Sequence, residues 1–355
     1  MYNNVLLIPA LDPDDKFIEY VKELRETGFY RIVAVDDGSR SELKYIFDTL
    51  RDEYGCDIIV HEVNLGKGRA LKDGFRFIEN KYGGFADYKG IITADSDGQH
   101  TVSDVIKLNE RLDSSDEPAL FLGVRNFDLD FVPVKSKKGN KITTRVFKLL
   151  YGKYISDTQT GLRAISRELA IDYSLLSGDR FEYETNMLIC ATRSGHRIIE
   201  EPIETVYHND NSGTHFRPLV DSFKIYKLLL SGFFKYTAAS AVSMLLDQGL
   251  ANLLFYLVFN HAFAAKAIAR LVSSVFNFTL NRNIVFKAKD PLKRKSQAIR
   301  YFMLAACQLL VSAGLVFGLT LLFADVAWMF AVMSIAVDVF LFFISYRIQH
   351  LWVFK

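Results

Sequence analysis

The chain has 355 residues, a formal net charge of +2 and three cysteines that lie far apart, Cys56, Cys190 and Cys307. This spacing excludes a disulfide framework and a zinc site built from closely spaced cysteines, and it favours a reduced, cytosol-facing protein. Charged and apolar residues are mixed up to about residue 215, whereas the remainder is mostly apolar, with its cations gathered in two short stretches. We therefore expect a soluble half followed by a membrane half.

Apolar runs alternate with amphipathic segments in the soluble half. The first run, residues 5–8, follows a start that lacks the basic segment and long apolar core of a signal peptide, so we expect a buried strand there. The alternation predicts an α/β fold with a mainly parallel sheet, and ligands bind such sheets at the carboxyl ends of the strands. We expect strands at residues 5–9, 31–35, 57–63, 90–94, 119–123 and 197–206, and helices at residues 14–26, 41–54, 69–82 and 102–112, the last capped by Thr101.

Two carboxylates separated by one residue follow the fourth predicted strand. Residues i and i+2 of an extended segment point the same way, so Asp95 and Asp97 can converge on one point. With the amide of Gln99 they form an all-oxygen ligand set, which suits Mg²⁺ or Mn²⁺ rather than zinc. The first hypothesis is a metal–diphosphate site at a strand end, and the alternative is a solvated acidic turn.

Polar motifs also follow the first three predicted strands. Asp37 can accept hydrogen bonds from a nucleobase or ribose, while Gly66 and Gly68 would let the backbone approach a phosphate, with Lys67 adding positive charge. Taken singly these are ordinary turns, and the P-loop pattern is absent. Because four such motifs lie on successive strand ends, they indicate a binding site. The three motifs are Pro9-Ala10-Leu11-Asp12, Asp36-Asp37-Gly38-Ser39 and Asn64-Leu65-Gly66-Lys67-Gly68.

The order of these motifs resembles the family 2 glycosyltransferases of GT-A fold that glycosylate polyprenyl phosphates. The resemblance covers the whole soluble half, but it departs from the family pattern at Leu11 and Asn186, which leaves the base and the sugar open. The matching stretches are Val35-Asp36-Asp37-Gly38-Ser39, Asn64-Leu65-Gly66-Lys67-Gly68, Ala94-Asp95-Ser96-Asp97-Gly98-Gln99-His100, Ser156-Asp157-Thr158-Gln159-Thr160-Gly161-Leu162-Arg163 and Phe181-Glu182-Tyr183-Glu184.

The resemblance implies a role for particular residues. Glu184 is ranked below the metal ligands, because it is also consistent with an ordinary carboxylate on a helix face. The residues expected to bind the donor nucleotide are Pro9, Ala10, Asp12, Asp37, Lys67 and Asp95, and those expected to bind Mg²⁺ or Mn²⁺ with the diphosphate are Asp95, Asp97 and Gln99.

The acceptor sets a further requirement. A lipid phosphate is already anionic at pH 7, so it needs no general base, but it needs cations that hold it in line with the anomeric carbon. Residues 135–141 are expected to form a basic loop, which either contacts that phosphate or lies in solvent or on anionic lipid. The acceptor-phosphate candidates are Arg125, Lys138, Lys141, Arg163, His215 and Arg217, and the catalytic candidates are Asp95, Asp97, Arg125 and Arg163.

The membrane half begins with an amphipathic stretch, residues 219–234, which suits a helix lying in the membrane interface, the alternative being a buried linker helix. Cations are concentrated between the second and third of four apolar stretches, so positive charge inside places both termini and the catalytic half in the cytoplasm. Arg270 is expected to pair with Asp247 or Asp338 inside the bundle, and the alternative is an Arg270 near a helix end whose side chain extends to the membrane interface. The four predicted spans are residues 236–259, 262–280, 299–323 and 326–343.

This half resembles the GtrA-like four-helix membrane family, through Asn277-Phe278-Thr279-Leu280-Asn281-Arg282-Asn283-Ile284-Val285-Phe286. A weak internal repeat relates Ile284-Val285-Phe286-Lys287 to Trp352-Val353-Phe354-Lys355, so the two helix pairs are expected to be related. The predicted domains are a GT-A domain at 1–215, an interfacial linker at 216–235 and a four-helix domain at 236–355.

The predicted function is metal-dependent, inverting transfer of a hexose-type sugar from a UDP- or GDP-linked donor to polyprenyl phosphate at the cytoplasmic face. The expected partners are the nucleotide sugar, polyprenyl phosphate and the lipid bilayer, and not nucleic acid; a homo-oligomer is left open. One alternative is transfer to a lipid or glycan hydroxyl, which would require a carboxylate base. Another is a translocase for lipid-linked sugar with a donor-loading domain.

Overall fold

The computed structural model describes residues 2–85, 87–206, 217–259, 261–288, 290–322 and 327–355. The chain divides into two compact units. The first, the catalytic unit, comprises Met1–Lys148 and Lys153–Leu228, and the second, the membrane unit, comprises Leu149–Gly152 and Leu229–Lys355.

The catalytic unit is built on a sheet whose described part has seven strands in the order β3-β2-β1-β4-β6-β5-β7. β6 runs antiparallel to both of its neighbours, and the other pairings are parallel, so the mainly parallel GT-A sheet is confirmed. The strands are β1 (Val5–Ala10), β2 (Ile32–Asp36), β3 (Asp57–Val60), β4 (Gly90–Thr93), β5 (Ala119–Val124), β6 (Arg163–Ser166) and β7 (Arg197–Pro202).

Apolar side chains explain the centre of the sheet. Every residue of β1, β2 and β4 is buried, as expected for strands that helices cover on both faces. The pairing of Ala10 with Asp36 and of Leu7 with Thr93 brings the carboxyl ends of these three strands to one edge. The polar motifs that follow them are therefore neighbours.

The helices of the catalytic unit agree with the predicted ones in four cases, and Thr101 caps α4 as expected, its hydroxyl accepting from the Asp104 N–H at 3.2 Å. Lys67 is the first residue of α3 rather than a loop residue. The helices are α1 (Lys16–Glu26), α2 (Lys44–Asp52), α3 (Lys67–Tyr82), α4 (Val102–Asp113), α5 (Val134–Tyr151), α6 (Arg167–Ser174) and α7 (Glu182–Ser194).

The basic loop expected at residues 135–141 is instead the first half of α5, so that prediction was wrong. The buried side of this helix includes Asn140, Thr143, Thr144 and Phe147 at helical spacing. Because three of these four residues are polar, the apolar period that announces an amphipathic helix is missing from the sequence.

The membrane unit contains the long apolar helices. α8 continues from residue 218 to residue 254 without a break, so the separate interfacial helix expected at 219–234 is part of one long helix. Four described helices are long and apolar enough to span a membrane, as predicted. These helices are α8 (Pro218–Leu254), α9 (Ala262–Leu280), α10 (Arg294–Leu322) and α11 (Ala327–Ile348).

Asp247 is the centre of a charged cluster between α8 and α9. Its carboxylate lies 2.7 Å from Lys266 Nζ and 3.4 Å from Arg270 Nη2, so the predicted pairing of Arg270 with Asp247 is confirmed, with Lys266 as an additional partner. Asp338 instead accepts a hydrogen bond from the Ser312 hydroxyl at 2.9 Å. Pairing offsets the large cost of placing these charges at membrane depth.

The two helix pairs end alike. Each continues into a π-helical turn, Asn281–Val285 after α9 and Gln349–Val353 after α11. The side chains that open these turns are 68 residues apart and meet, with Asn281 Nδ2 donating to Gln349 Oε1 at 3.1 Å. At the same sequence offset, the rings of Phe286 and Phe354 stack with centroids 5.0 Å apart. Equivalent residues of the predicted repeat therefore contact each other.

Candidate active site

Lys67 and Asp95 meet at the carboxyl edge of the sheet. Lys67 Nζ lies 2.6 Å from Asp95 Oδ1, and His100 Nε2 lies 3.2 Å from Asp95 Oδ2. Gly161 packs against the same carboxylate so closely that a Cβ at this position would collide with it. Asp95 is thus contacted from three sides, by His100 five residues further on and by Lys67 and Gly161 from segments that are distant in the sequence.

These contacts set the charges of the site. Burial tends to raise the pKa of Asp95. Lys67 and His100 lower this pKa by more than burial raises it, so the net pKa lies well below the usual range. Asp97 is exposed, yet neighbouring protein atoms remove part of its hydration and, together with the Asp95 charge, raise its pKa. Burial tends to lower the pKa of Lys67, but Asp95 and Glu184 raise it above its usual value. The site therefore holds an ionised Asp95 beside a lysine that stays protonated.

The donor set fits a hard divalent cation. Asp95 and Asp97 supply carboxylate oxygens at one strand end, and their charges influence each other. In the described part of the chain, no group of three or more His, Cys, Asp or Glu residues could hold a metal ion. The two carboxylates of Asp95 and Asp97 suit Mg²⁺ or Mn²⁺, since Mg²⁺ usually takes one or two carboxylates and completes its shell with substrate phosphates and water. The place of Gln99 among the ligands stays a prediction.

The glycines of the Gly-Lys-Gly motif serve packing between two segments of the protein. A Cβ on Gly68 would lie 2.5 Å from the Tyr183 Cβ and 2.8 Å from the Arg180 carbonyl oxygen. Gly66 has φ 102° and likewise lies against the residue 179 backbone, whose carbonyl accepts from the Arg69 N–H at 3.0 Å. The start of α7 therefore packs directly on the start of α3.

Asp37 is buried and holds the same loop from the other side. Its carboxylate accepts hydrogen bonds from the Leu65 N–H at 3.0 Å and the Gly66 N–H at 2.7 Å, and it lies 2.7 Å from His61 Nδ1. Asp37 N–H in turn donates to the Ala10 carbonyl at 2.9 Å. The nucleoside contact expected of Asp37 stays a prediction, and its observed role is to anchor the loop before Lys67.

The other donor candidates lie at the ends of β1 and β2. Pro9 and Ala10 are buried at the end of β1. Asp12 adopts φ 48° and pairs with Arg40 Nε at 3.2 Å, while its N–H donates to the Ser39 hydroxyl at 2.9 Å. The first two polar motifs are therefore joined into one local structure.

Arg125 is paired with a buried acid. Its Nε donates to Asp157 Oδ2 at 2.7 Å and its Nη2 to Asp157 Oδ1 at 3.2 Å, and Asp157 is fully buried. Asn140 of α5 holds the same loop, donating to the Ser156 carbonyl at 2.6 Å and accepting from the Thr158 N–H at 3.3 Å. The helix α5 therefore carries Lys138 and Lys141 on its exposed side and hydrogen-bonds the Asp157 loop through its buried side.

Arg163 lies inside the protein. It is fully buried, donating from Nε to the Thr160 carbonyl at 2.9 Å and from Nη1 to the Glu184 carbonyl at 2.8 Å. Its expected contact with the acceptor phosphate stays a prediction. Arg217 is exposed and its N–H donates to Asp221 at 2.8 Å, while His215 lies outside the described residues.

Glu184, ranked below the metal ligands from the sequence, and His100, not singled out there, both lie at the site. Glu184 is buried, and its Oε1 lies 3.0 Å from Lys67 Nζ. The signal in the sequence was the position of both residues in motifs that resemble the family, but neither periodicity nor spacing shows that α7 returns to the Lys67 loop.

Family models and sequence relatives agree with this architecture. The Glycosyl transferase family 2 model matches residues 7–174, and the GtrA/DPMS transmembrane domain model matches residues 229–354. An uncharacterized protein of Methanocaldococcus jannaschii is 31% identical over 242 residues, which are 64% of this chain and 92% of that protein. The UDP-N-acetylglucosamine–dolichyl-phosphate N-acetylglucosaminyltransferase of Methanococcus voltae is 30% identical over 241 residues, 63% of this chain and 94% of the enzyme. Among solved structures, mannosyl-3-phosphoglycerate synthase from Rubrobacter xylanophilus is 13% identical with a TM-score of 0.46, over 70% of this chain and 75% of that one.

Proposed function

Because the chain belongs to glycosyl transferase family 2 and carries a GtrA/DPMS transmembrane domain, we propose that it transfers a hexose-type sugar from a nucleoside diphosphate to polyprenyl phosphate. The transfer would invert the anomeric carbon. The observation that carries the proposal is the contact of Lys67 with Asp95 at the carboxyl edge of the sheet, 2.6 Å apart. It joins a cation suited to a diphosphate with a carboxylate suited to a divalent metal.

Asp95 and Asp97, with Gln99, would hold Mg²⁺ or Mn²⁺, which when bound neutralises charge on the leaving diphosphate. Lys67 is protonated and stabilises the same developing charge. Pro9, Ala10, Asp12 and Asp37 would bind the nucleoside at the adjoining strand ends.

The acceptor would react without a general base. A phosphate oxygen of the lipid attacks the anomeric carbon, the new C–O bond forms as the bond to the β-phosphate oxygen breaks, and the electron pair leaves with the nucleoside diphosphate. The buried carboxylates near the site are consistent with this route, because Glu184 is paired with Lys67 and Asp157 with Arg125.

The lipid phosphate would be bound by exposed cations, and Lys138 and Lys141 on α5 are the best placed. The part of this helix that belongs to the catalytic unit also exposes Val134 and Ile142, which are 65% and 52% accessible. Basic and apolar side chains on one exposed surface favour contact with an anionic membrane surface. Arg125, Arg163, His215 and Arg217 remain further candidates for the phosphate contact.

We infer that the catalytic unit and both termini face the cytoplasm. The connection between α9 and α10 holds Lys287 and Lys293, α10 begins with Arg294 and Lys295, and positive charge is retained on the cytoplasmic side. Nucleotide sugars are made in that compartment, so the orientation agrees with the proposed donor. The proposed domains are a catalytic domain at residues 1–215, a linker at 216–235 that contains the first turns of α8, and a membrane domain at 236–355.

The test uses the purified full chain in lipid nanodiscs with radiolabelled UDP- or GDP-sugars, polyprenyl phosphate and Mn²⁺ or Mg²⁺. We expect label to enter an organic-soluble phosphodiester, beginning with UDP-N-acetylglucosamine as the first donor assayed. Chelation of the metal or Asp97→Asn should lower the rate by about 100-fold or more, by analogy with the loss of other transition-state charge stabilisers. Asp48→Asn, an exposed change on α2, is the matched control.

Two outcomes separate the alternatives, the first in this assay and the second in proteoliposomes. Labelling of a polyprenol or glycan hydroxyl in place of the phosphate would favour the hydroxyl acceptor and overturn the proposed reaction. Proteoliposomes that move lipid-linked sugar across the bilayer equally well with wild-type chain and Asp97→Asn, while neither makes product, would favour the translocase.

A further inference from the structure

Glu184 contacts Lys67, the cation of the candidate site. Its Oε1 lies 3.0 Å from Lys67 Nζ, and that ammonium lies 2.6 Å from Asp95 Oδ1. The accessible fractions of the Glu184 and Lys67 side chains are 8% and 17%, whereas that of Asp95 is 30%. Lys67 is therefore held between one inner and one outer carboxylate.

The backbone is arranged to bring Glu184 to this place. Gly66 and Gly68 lack the side chains that would keep α7 away from α3, as described above. Lys72 Nζ on α3 adds an ion pair to Asp179 at 2.6 Å, just before α7 begins. The Glu184 carbonyl also accepts from the buried Arg163. Several independent contacts thus fix the position of a single carboxylate.

A lysine needs such support more than an arginine does. Its ammonium is a point charge on a flexible four-carbon chain, and ordering that chain costs rotamer entropy. A second carboxylate behind the ammonium limits its positions before the nucleotide arrives. It also offsets the cost of placing a cation where water is scarce.

We propose that Glu184 is a positioning residue that acts through Lys67, holding the ammonium against Asp95 so that it meets the leaving diphosphate already in place. Glu184 itself touches neither the donor nor the acceptor. This inference rests on the proposed function, since it assigns to Lys67 the diphosphate of the donor.

A double-mutant cycle on the full chain tests the inference. The variants are Glu184→Gln, Lys67→Met and the double variant, each measured for the dissociation constant of UDP and GDP with Mn²⁺, and for kcat and KM with polyprenyl phosphate. Glutamine keeps the shape of Glu184 and removes its charge. Glu182→Gln, two residues earlier on α7, is the matched control, because its contacts are to the N–H groups of Asp179 and Arg180.

We expect Lys67→Met to lower kcat/KM by about 100-fold and Glu184→Gln by about 10-fold, mainly through kcat, because charge develops on the diphosphate in the transition state. The double variant should fall within about 2-fold of Lys67→Met, since residues acting through one another are not additive. Losses that multiply in the double variant would overturn the inference, and so would a Glu182→Gln loss as large as that of Glu184→Gln.

The nucleotide measurement separates this inference from the proposed function. If the wild-type chain binds neither UDP nor GDP, the proposed function fails and the role of Glu184 fails with it. If the wild-type chain binds nucleotide and turns over while Glu184→Gln matches it in both respects, the proposed function stands and the positioning role is wrong.

Discussion

The guanidinium of Arg125 forms a two-pronged ion pair with the buried carboxylate of Asp157, with N···O distances of 2.7 and 3.2 Å. Both residues follow or precede strands that end at the candidate site, and Asn140 secures the same loop from α5. Arg125, a candidate for the contact with the acceptor phosphate, therefore also orders the segment that contains Asp157.

Asp157→Asn should destabilise the catalytic unit, because it leaves Arg125 partly buried without its counter-charge. Breaking a buried pair in this way costs about 3 kcal/mol. We expect a lower thermal unfolding midpoint for the full chain in detergent, measured by intrinsic fluorescence. Asp128→Asn is the control, since its pair with Lys137 spans 3.6 Å and leaves the Asp128 side chain 89% exposed. An equal effect of the two changes would contradict the prediction.

Gly68→Ala should separate α3 from α7, because the new Cβ would lie 2.5 Å from the Cβ of Tyr183. We expect both a lower unfolding midpoint and weaker nucleotide binding, since Lys67 and Glu184 sit on the two helices that are pushed apart. Gly139→Ala on α5 has no neighbour within 4 Å of the added Cβ and should be neutral or stabilising by up to about 1 kcal/mol. A stable Gly68→Ala chain with normal nucleotide binding would show that the contact is not needed.

Arg163→Lys distinguishes packing from phosphate binding. Arg163 is fully buried and its guanidinium donates to two backbone carbonyls, an arrangement that the single ammonium of lysine reproduces poorly. We expect a loss of about 2 kcal/mol in stability, as for buried hydrogen-bond partners left unsatisfied. A fully stable Arg163→Lys chain whose KM rises for polyprenyl phosphate alone would favour the direct contact instead.

Acid should weaken the catalytic unit through Glu201. Burial tends to raise the pKa of this residue, but Arg111 at 2.7 Å and Lys107 at 3.1 Å lower it below its ordinary value near 4.5. Because the folded pKa is below the unfolded one, the stabilisation is present above pH 4.5 and is lost as pH falls through the folded pKa.

Glu201→Gln should therefore lower the unfolding midpoint at pH 7 and have little effect once the wild-type carboxylate is protonated. Unfolding midpoints of both chains are measured from pH 7 down to pH 3, and we expect the two midpoints to converge as the pH falls. A difference that stays constant over the whole range would mean that the charge of Glu201 contributes nothing.

The sequence predicts the sheet core well, because β1, β2 and β4 are continuous apolar runs that end in polar motifs. It also predicts that Lys67 and Asp95 share one edge, since both follow parallel strands. β6 was missed because Arg163–Ser166 has four residues and one of them is a buried arginine, so it lacks the apolar run that marks a strand.

The contacts made by later segments could not be predicted from local patterns. Glu184 reaches Lys67 through the packing of α7 on two glycines, and glycine in a loop is equally consistent with a phosphate cradle. The prediction divided α8 because Lys224 and Lys227 interrupt its apolar character, yet lysine is a good helix former and does not interrupt the backbone hydrogen bonds of a helix.

The paired contacts of Asn281 with Gln349 and of Phe286 with Phe354 give the membrane unit an internal near-symmetry. At a two-fold axis, each residue faces its own equivalent, as in the interface of a homodimer. Here both halves of that interface belong to a single polypeptide, so the two positions are free to differ, as they do at Asn281 and Gln349, whereas Phe286 and Phe354 are the same residue type.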